Sequence, residues 1–175
     1  MNNNLKKTIR LSALSAIALT IFIIKIQIPP LVPIPGIKLG LANIITLIIL
    51  SLYGTKEASA VLFIRIFLGS IFSGQMINLL YSLSGGILCL VVMSTLMKIL
   101  GKKNVCFISI AGAIAHNIGQ ITVSIIILET TSVLYYLPVL LISGVITGAF
   151  TGIVSKLLVN NVVLKKLMNG EMIHN

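Results

Sequence analysis

A chain of 175 residues that is 57% hydrophobic and 9% charged, with mean hydropathy +1.13, cannot clothe itself in a water-soluble surface; soluble domains carry about 25% charged residues. Its 13 Lys and Arg face only three acids, Glu57, Glu129 and Glu171, with no Asp, for a formal charge of +10. The cations flank apolar runs and aromatics are few, so the basic excess fits an anionic membrane surface and excludes a nucleic-acid-binding face.

The length corresponds to one domain. Six spans of about 20 residues would nearly exhaust it, so the sequence predicts an all-α integral membrane protein with a single transmembrane domain over residues 1–175. The first span is predicted over 8–28, with Lys6 and Lys7 before it and Arg10 in its first turn. The run is too long for a signal-peptide core and no cleavage site follows it, which predicts an uncleaved helix. Pro29, Pro30, Pro33 and Pro35 exclude regular helix from 29 to 38, because proline lacks the N–H and clashes with the preceding turn. An ordered loop or re-entrant cap is expected there.

The second span is predicted over 39–53 and the third over 58–72. Each is about 22 Å long at 1.5 Å per residue, below the roughly 30 Å of hydrocarbon. Either their loops lie at membrane depth or the helices border a cavity. The fourth, fifth and sixth spans are predicted over 76–100, 105–128 and 133–159, followed by a polar, basic tail over 160–175. Cys89 and Cys106 fall in or beside apolar runs and read as small packing residues, since two such cysteines form neither a disulfide framework nor a zinc site.

With six spans, ten cations collect on one side: Lys6, Lys7, Arg10, Lys56, Lys98, Lys102, Lys103, Lys156, Lys165 and Lys166. Lys25 and Lys38 fall on the other, and Arg65 lies within a span. The positive-inside rule then puts both termini in the cytoplasm of a multi-pass cell-membrane protein. The proline-rich loop and the Glu129 turn face outward.

Ionisable and polar groups inside spans are costly and mark functional sites by default. Arg65 is midway along the third span, where it either clamps helix-end carbonyls or meets an anionic ligand group. His116 and Gln120 are four apart and share a helix face, with Asn117 adjacent. Facing lipid they would be expensive, so they face the bundle interior, either bonding between helices or lining a ligand site. A lone His without thiolate or carboxylate partners is not a metal-ligand set. Lys38, Asn43, Gln75, Asn78 and Tyr81 fall between the midplane and the outer surface. Together these residues describe a pocket open to the outside, beneath the proline-rich loop, with a positive balance that suits a ligand bearing some negative charge.

Small residues supply close packing where lipid removes the hydrophobic drive between helices. Gly144, Gly148 and Gly152 recur every four residues on the sixth span, either for packing within the bundle or for docking a separate membrane subunit. Ser12, Ala13 and Ala16 make a shorter patch on the first. No internal repeat is evident, which argues against an inverted-repeat carrier.

The stretch Pro35-Gly36-Ile37-Lys38-Leu39-Gly40-Leu41-Ala42-Asn43-Ile44 resembles the loop-to-second-helix signature of substrate-binding S components of energy-coupling-factor transporters. With Arg65-Ile66-Phe67-Leu68-Gly69-Ser70, Ser84-Gly85-Gly86, Ala115-His116-Asn117-Ile118-Gly119-Gln120 and Tyr136-Leu137-Pro138, the chain is similar over nearly its whole length to the family called Gx transporter or heptaprenyl diphosphate synthase component I. The S-component resemblance implies six helices, cytoplasmic termini, an external pocket capped by the first loop, and partners: a membrane coupling subunit and two ATPases. It also puts the coupling contact near Ser12, Ala13 and Ala16.

The expected function is therefore capture of a small molecule from outside by Lys38, Asn43, Arg65, Gln75, Asn78, His116, Asn117 and Gln120, with no resident cofactor. Catalysis is not expected: prenyl-diphosphate chemistry needs Asp-rich Mg²⁺ sites, and neither Asp nor a GxxxxGK[ST] phosphate loop is present. A non-catalytic membrane partner in isoprenoid or quinone metabolism is the second reading. An ion-coupled secondary carrier is the third, with His116 its one candidate for a titratable relay.

Overall fold

The computed structural model describes residues 3–27, 43–74 and 76–160. They form six helices: α1 Asn3–Gln27, α2 Asn43–Leu52, α3 Thr55–Ser73, α4 Met76–Leu100, α5 Val105–Leu128 and α6 Leu137–Asn160. Lys38, Gln75, the proline-rich segment 29–38 and residues 161–175 lie outside the described residues, so the expectations placed on them have no structural counterpart here. There is no strand among the described residues.

α4 and α5 have the bounds expected of the fourth and fifth spans. The third span is longer than expected. α3 takes in Thr55, Lys56 and Glu57 and, at 19 residues, reaches about 28 Å. It ends where Gly74 adopts the left-handed conformation (φ +64°) and its N–H bonds the Ile71 carbonyl at 3.2 Å. The expected start at 133 falls in a 3₁₀ turn, Thr131–Tyr136, and α6 proper begins at Leu137. Pro138 is tolerated in that first turn because its missing N–H would have no intrahelical partner anyway.

Among the described residues, four helical stretches are long and apolar enough to cross a membrane: Leu5–Ile24, Met76–Leu100, Lys102–Leu128 and Thr131–Asn160. α3 carries Lys56, Glu57 and Arg65, and the described part of α2 is short. α2 is buried on nearly every face, from Ile45 to Ser51, as expected of a helix that is apolar all round. It packs against α3, α4 and α6 and anchors a core with Leu62, Ile66, Met93 and Ile108. α1 leans on that core through Leu11, Leu14, Ala18 and Ile21, one helical face.

The outward faces are apolar: Phe67 is 61% exposed and Ile146 65%, whereas Arg65 and His116 are each 4% exposed. Such a surface needs lipid rather than water around it.

Glycines set the helix separations. A Cβ at Gly148 would lie 2.6 Å from the Ile110 Cα, and one at Gly152 2.7 Å from the Cys106 Cα. At Gly144 it would lie 2.9 Å from the Asn117 amide nitrogen. The whole four-residue stripe thus faces α5 within the chain. Ser12, Ala13 and Ala16 are exposed on α1.

The two ends differ in charge. Lys7 donates to and pairs with Glu57, tying the start of α1 to the start of α3. Ser51, Lys102, Lys103 and Lys156 line one cleft, so the α2–α3 turn, the α4–α5 turn and the end of α6 lie at that same end. The opposite end carries the Gly74 turn and Glu129, which closes α5 in a left-handed conformation (φ 51°).

Replacing Gly148 by Ala should push α5 and α6 apart, because the obstructing atoms are backbone and not a flexible side-chain tip. A stability loss of about 1–3 kcal/mol is expected by the overpacking range, read as a lower midpoint in thermal unfolding of the detergent-purified protein. The hydrogen bond from Lys7 holds the Glu57 carboxyl below its ordinary 4.5, helped by its own backbone N–H and by the charges of Lys7 and Lys56, against a smaller opposing effect of burial. A lowered folded-state value means the contribution is full above 4.5 and is lost as pH falls through that lowered value. Glu57→Gln should abolish this acid-side component, which is about 1 kcal/mol or less for a pair still open to solvent screening. Unfolding midpoints measured against pH for both proteins check it.

Candidate functional site

The site is organised by Ser84-Gly85-Gly86 on α4. A Cβ at Gly85 would lie 2.8 Å from the His116 ring and 2.9 Å from its carbonyl. One at Gly119 would lie 2.9 Å from the Ser84 carbonyl. α4 and α5 therefore touch backbone to backbone at this level. On its other flank Gly86 meets Ile66 and Leu62 of α3, at 3.0 and 3.2 Å from an added Cβ. The glycine pair thus sets residues 62–66 of α3 and 116–119 of α5 at one depth, on either side of α4.

Polar side chains converge on this layer. The Arg65 guanidinium donates through Nη2 to Asn43 Oδ1 at 3.5 Å, joining α3 to α2. Ser84 donates to the Gly119 carbonyl at 2.7 Å, joining α4 to α5. Asn117 Nδ2 donates to the Leu140 carbonyl at 2.6 Å, joining α5 to α6. His116 and Gln120 lie on the buried side of α5, Gln120 at 2% exposure. Tyr81 and Ser124 meet at 3.5 Å about one turn toward the Glu129 end, and Ser109 and Thr151 meet at 2.7 Å toward the basic end.

Of the residues singled out from the sequence, Asn43 and Arg65 are in contact. His116, Asn117 and Gln120 share the interior side of α5. Asn78 is buried two turns along α4 from Gly85, toward the Gly74 end. Asn117 is committed to an interhelical bond. Gln120 Oε1 and Asn43 Nδ2 have no hydrogen-bond partner among the described residues. The sequence does not single out Ser84, Ser109, Ser124 and Thr151 as site residues. Single hydroxyls are common in helices, where they bond the preceding turn, and nothing in their spacing separates that use from bonding across helices.

Among the described residues the layer offers a fixed cation, an imidazole and three amides, one of them bonded to the Leu140 carbonyl, and no carboxylate: Glu57 and Glu129 lie at helix ends. That set can hold a ligand with oxygen acceptors and a polar donor by hydrogen bonds. No group of three or more metal-ligating side chains forms among the described residues.

The committed and uncommitted amides should respond differently to truncation. Asn117→Ala should cost about 0.6–1.7 kcal/mol of stability, the range for a hydrogen bond between membrane helices, and so lower the thermal midpoint. Gln120→Ala should cost less, since its carbonyl oxygen bonds nothing among the described residues. The pair of unfolding curves tests the assignment.

Comparison with curated proteins and with solved structures gives no match. The family model described as heptaprenyl diphosphate synthase component I matches residues 14–158, from the first helix to the last turns of α6 and across every residue of the polar layer. The chain belongs to the heptaprenyl diphosphate synthase component I family.

Proposed function

We propose that this protein is a membrane-embedded substrate-binding subunit, similar to the S components of energy-coupling-factor transporters, that captures a small molecule from the outer side of the cell membrane. The observation that carries the reading is the buried polar layer: Arg65, His116 and Gln120 nearly inaccessible inside a bundle whose outer faces are apolar. A bundle needing only stability would do better with apolar packing there, because buried polar groups cost free energy unless fully bonded. Two amide atoms aimed into the interior, Gln120 Oε1 and Asn43 Nδ2, supply one acceptor and one donor for a ligand. Arg65 supplies positive charge at the same depth. Both termini lie in the cytoplasm, with the basic end inward. All six helices cross the membrane, and Lys38 and Gln75 belong to the outer approach to the site. Energy comes from separate ATPase subunits through a membrane coupling subunit, docked on the exposed small residues Ser12, Ala13 and Ala16 of α1.

The family description favours a second reading, since a component I implies a partner component. On that reading the chain is a non-catalytic membrane partner of a soluble prenyl diphosphate synthase.

Gentle purification from native membranes, with mass spectrometry of the proteins and metabolites retained, separates the two. Two ATPases, a coupling subunit and a bound metabolite are expected. A soluble prenyl synthase without ATPases would replace the first reading by the second. With the metabolite in hand, Arg65→Gln and Gln120→Ala should weaken its binding about tenfold each, the loss expected when a charged or buried hydrogen bond to a ligand is removed. Unchanged affinity at normal membrane abundance would take the polar layer out of the site.

A further inference from the structure

The basic end of the bundle contains a second polar feature, far from the layer just described. Lys102 and Lys103 in the α4–α5 turn and Lys156 near the end of α6 converge on one cleft of roughly 390 Å³, with Ser51 at the end of α2 and Asn160 on its walls. Ser51 is two helical turns from Asn43, and Lys156 three turns from Gly144. The three lysines are exposed, and no carboxylate lines the cleft among the described residues.

The positive-inside pattern explains cations in loops, but not their gathering around one concavity. Lys56 and Lys98 lie at the same end and outside it. α5 begins on the cleft wall at Val105, and its N-cap Asn104 makes no capping bond; the Asn104 side chain turns back to the Leu100 carbonyl at 3.1 Å. The positive end of the α5 dipole therefore adds to the lysine field. The walls also include Val105 and Val159, apolar groups beside the charged ones. Three cations and an apolar flank, at the end of a bundle whose outer faces are apolar, match a phosphate ester whose hydrocarbon tail enters the bilayer.

We infer that this cleft is an anion site that binds a phosphate or diphosphate group through Lys102, Lys103 and Lys156. The group comes either from a membrane-lipid headgroup or from a soluble phosphate compound. The site uses none of the residues of the proposed substrate layer and stands whether or not that reading holds.

The test uses the full-length protein in phosphatidylcholine nanodiscs. Phosphatidylglycerol retention is read by native mass spectrometry, and inorganic pyrophosphate binding by thermal shift. Wild type should bind at least one of the two probes. Preferential retention of phosphatidylglycerol identifies a lipid source, and a shift with pyrophosphate alone identifies a soluble one. Removing a lysine should weaken binding about fivefold, so Lys102→Gln/Lys103→Gln/Lys156→Gln should lose far more than tenfold, while Lys98→Gln stays within about twofold. If the triple variant does not fold, Lys156→Gln alone should show the fivefold loss and Lys156→Arg should restore binding. The proposal is overturned if wild type binds neither probe, if the cleft variants bind as wild type does, or if Lys98→Gln loses as much as they do.

Discussion

Backbone contact at glycine is what the rest of this bundle depends on. Lipid tails are as apolar as leucine, so helices gain little by hiding leucines from them, and cohesion comes from close packing and interhelical hydrogen bonds. α5 is gripped in this way on two sides. Gly112 and Gly119 bring it against Met93, Ser84 and Gly85 of α4, while Gly144, Gly148 and Gly152 of α6 lie on Cys106, Ile110, Ala113 and Asn117. α1 joins through a side chain instead, with Gly69 of α3 leaving room for the Phe22 ring.

Close approach is also what makes a polar interior workable. A Ser or Asn side chain is short, and it reaches a neighbouring helix only where backbones nearly touch. Ser84 reaches the Gly119 carbonyl at 2.7 Å, and Asn117 reaches the Leu140 carbonyl at 2.6 Å, both beside glycine contacts. The same glycines bring Arg65 of α3 level with His116 of α5 by way of α4. An arginine at that depth is expensive in hydrocarbon; here it is sheltered by α2, whose Asn43 accepts its hydrogen bond. The short, largely buried α2 thus completes both the core and the polar layer.

The bundle is chemically divided along its axis. One end gathers Lys7, Lys102, Lys103 and Lys156, the middle holds amide, hydroxyl and imidazole groups with one arginine, and the far end carries Glu129. Selective recognition suits the sheltered layer, where each unmet hydrogen bond is costly, and anion attraction suits the exposed basic cleft, where charges stay solvated.

The sequence alone determined that the chain is all-helical, where α4 and α5 start and stop, and that His116, Asn117 and Gln120 turn inward, because these follow from local hydropathy and the helical period. It left the start of α3 unread, since Lys56 and Glu57 look like a loop until Lys7 is seen pairing with Glu57. It could not decide whether the α6 glycine stripe served this chain or another, nor that Ser84, Ser124 and Thr151 bond across helices. Nor could it show that three of ten like-charged residues share one cleft. Those are matters of which helix faces which and at what depth. Only the tertiary structure decides them, because a helix sequence records which face is distinctive but not the neighbour that face meets.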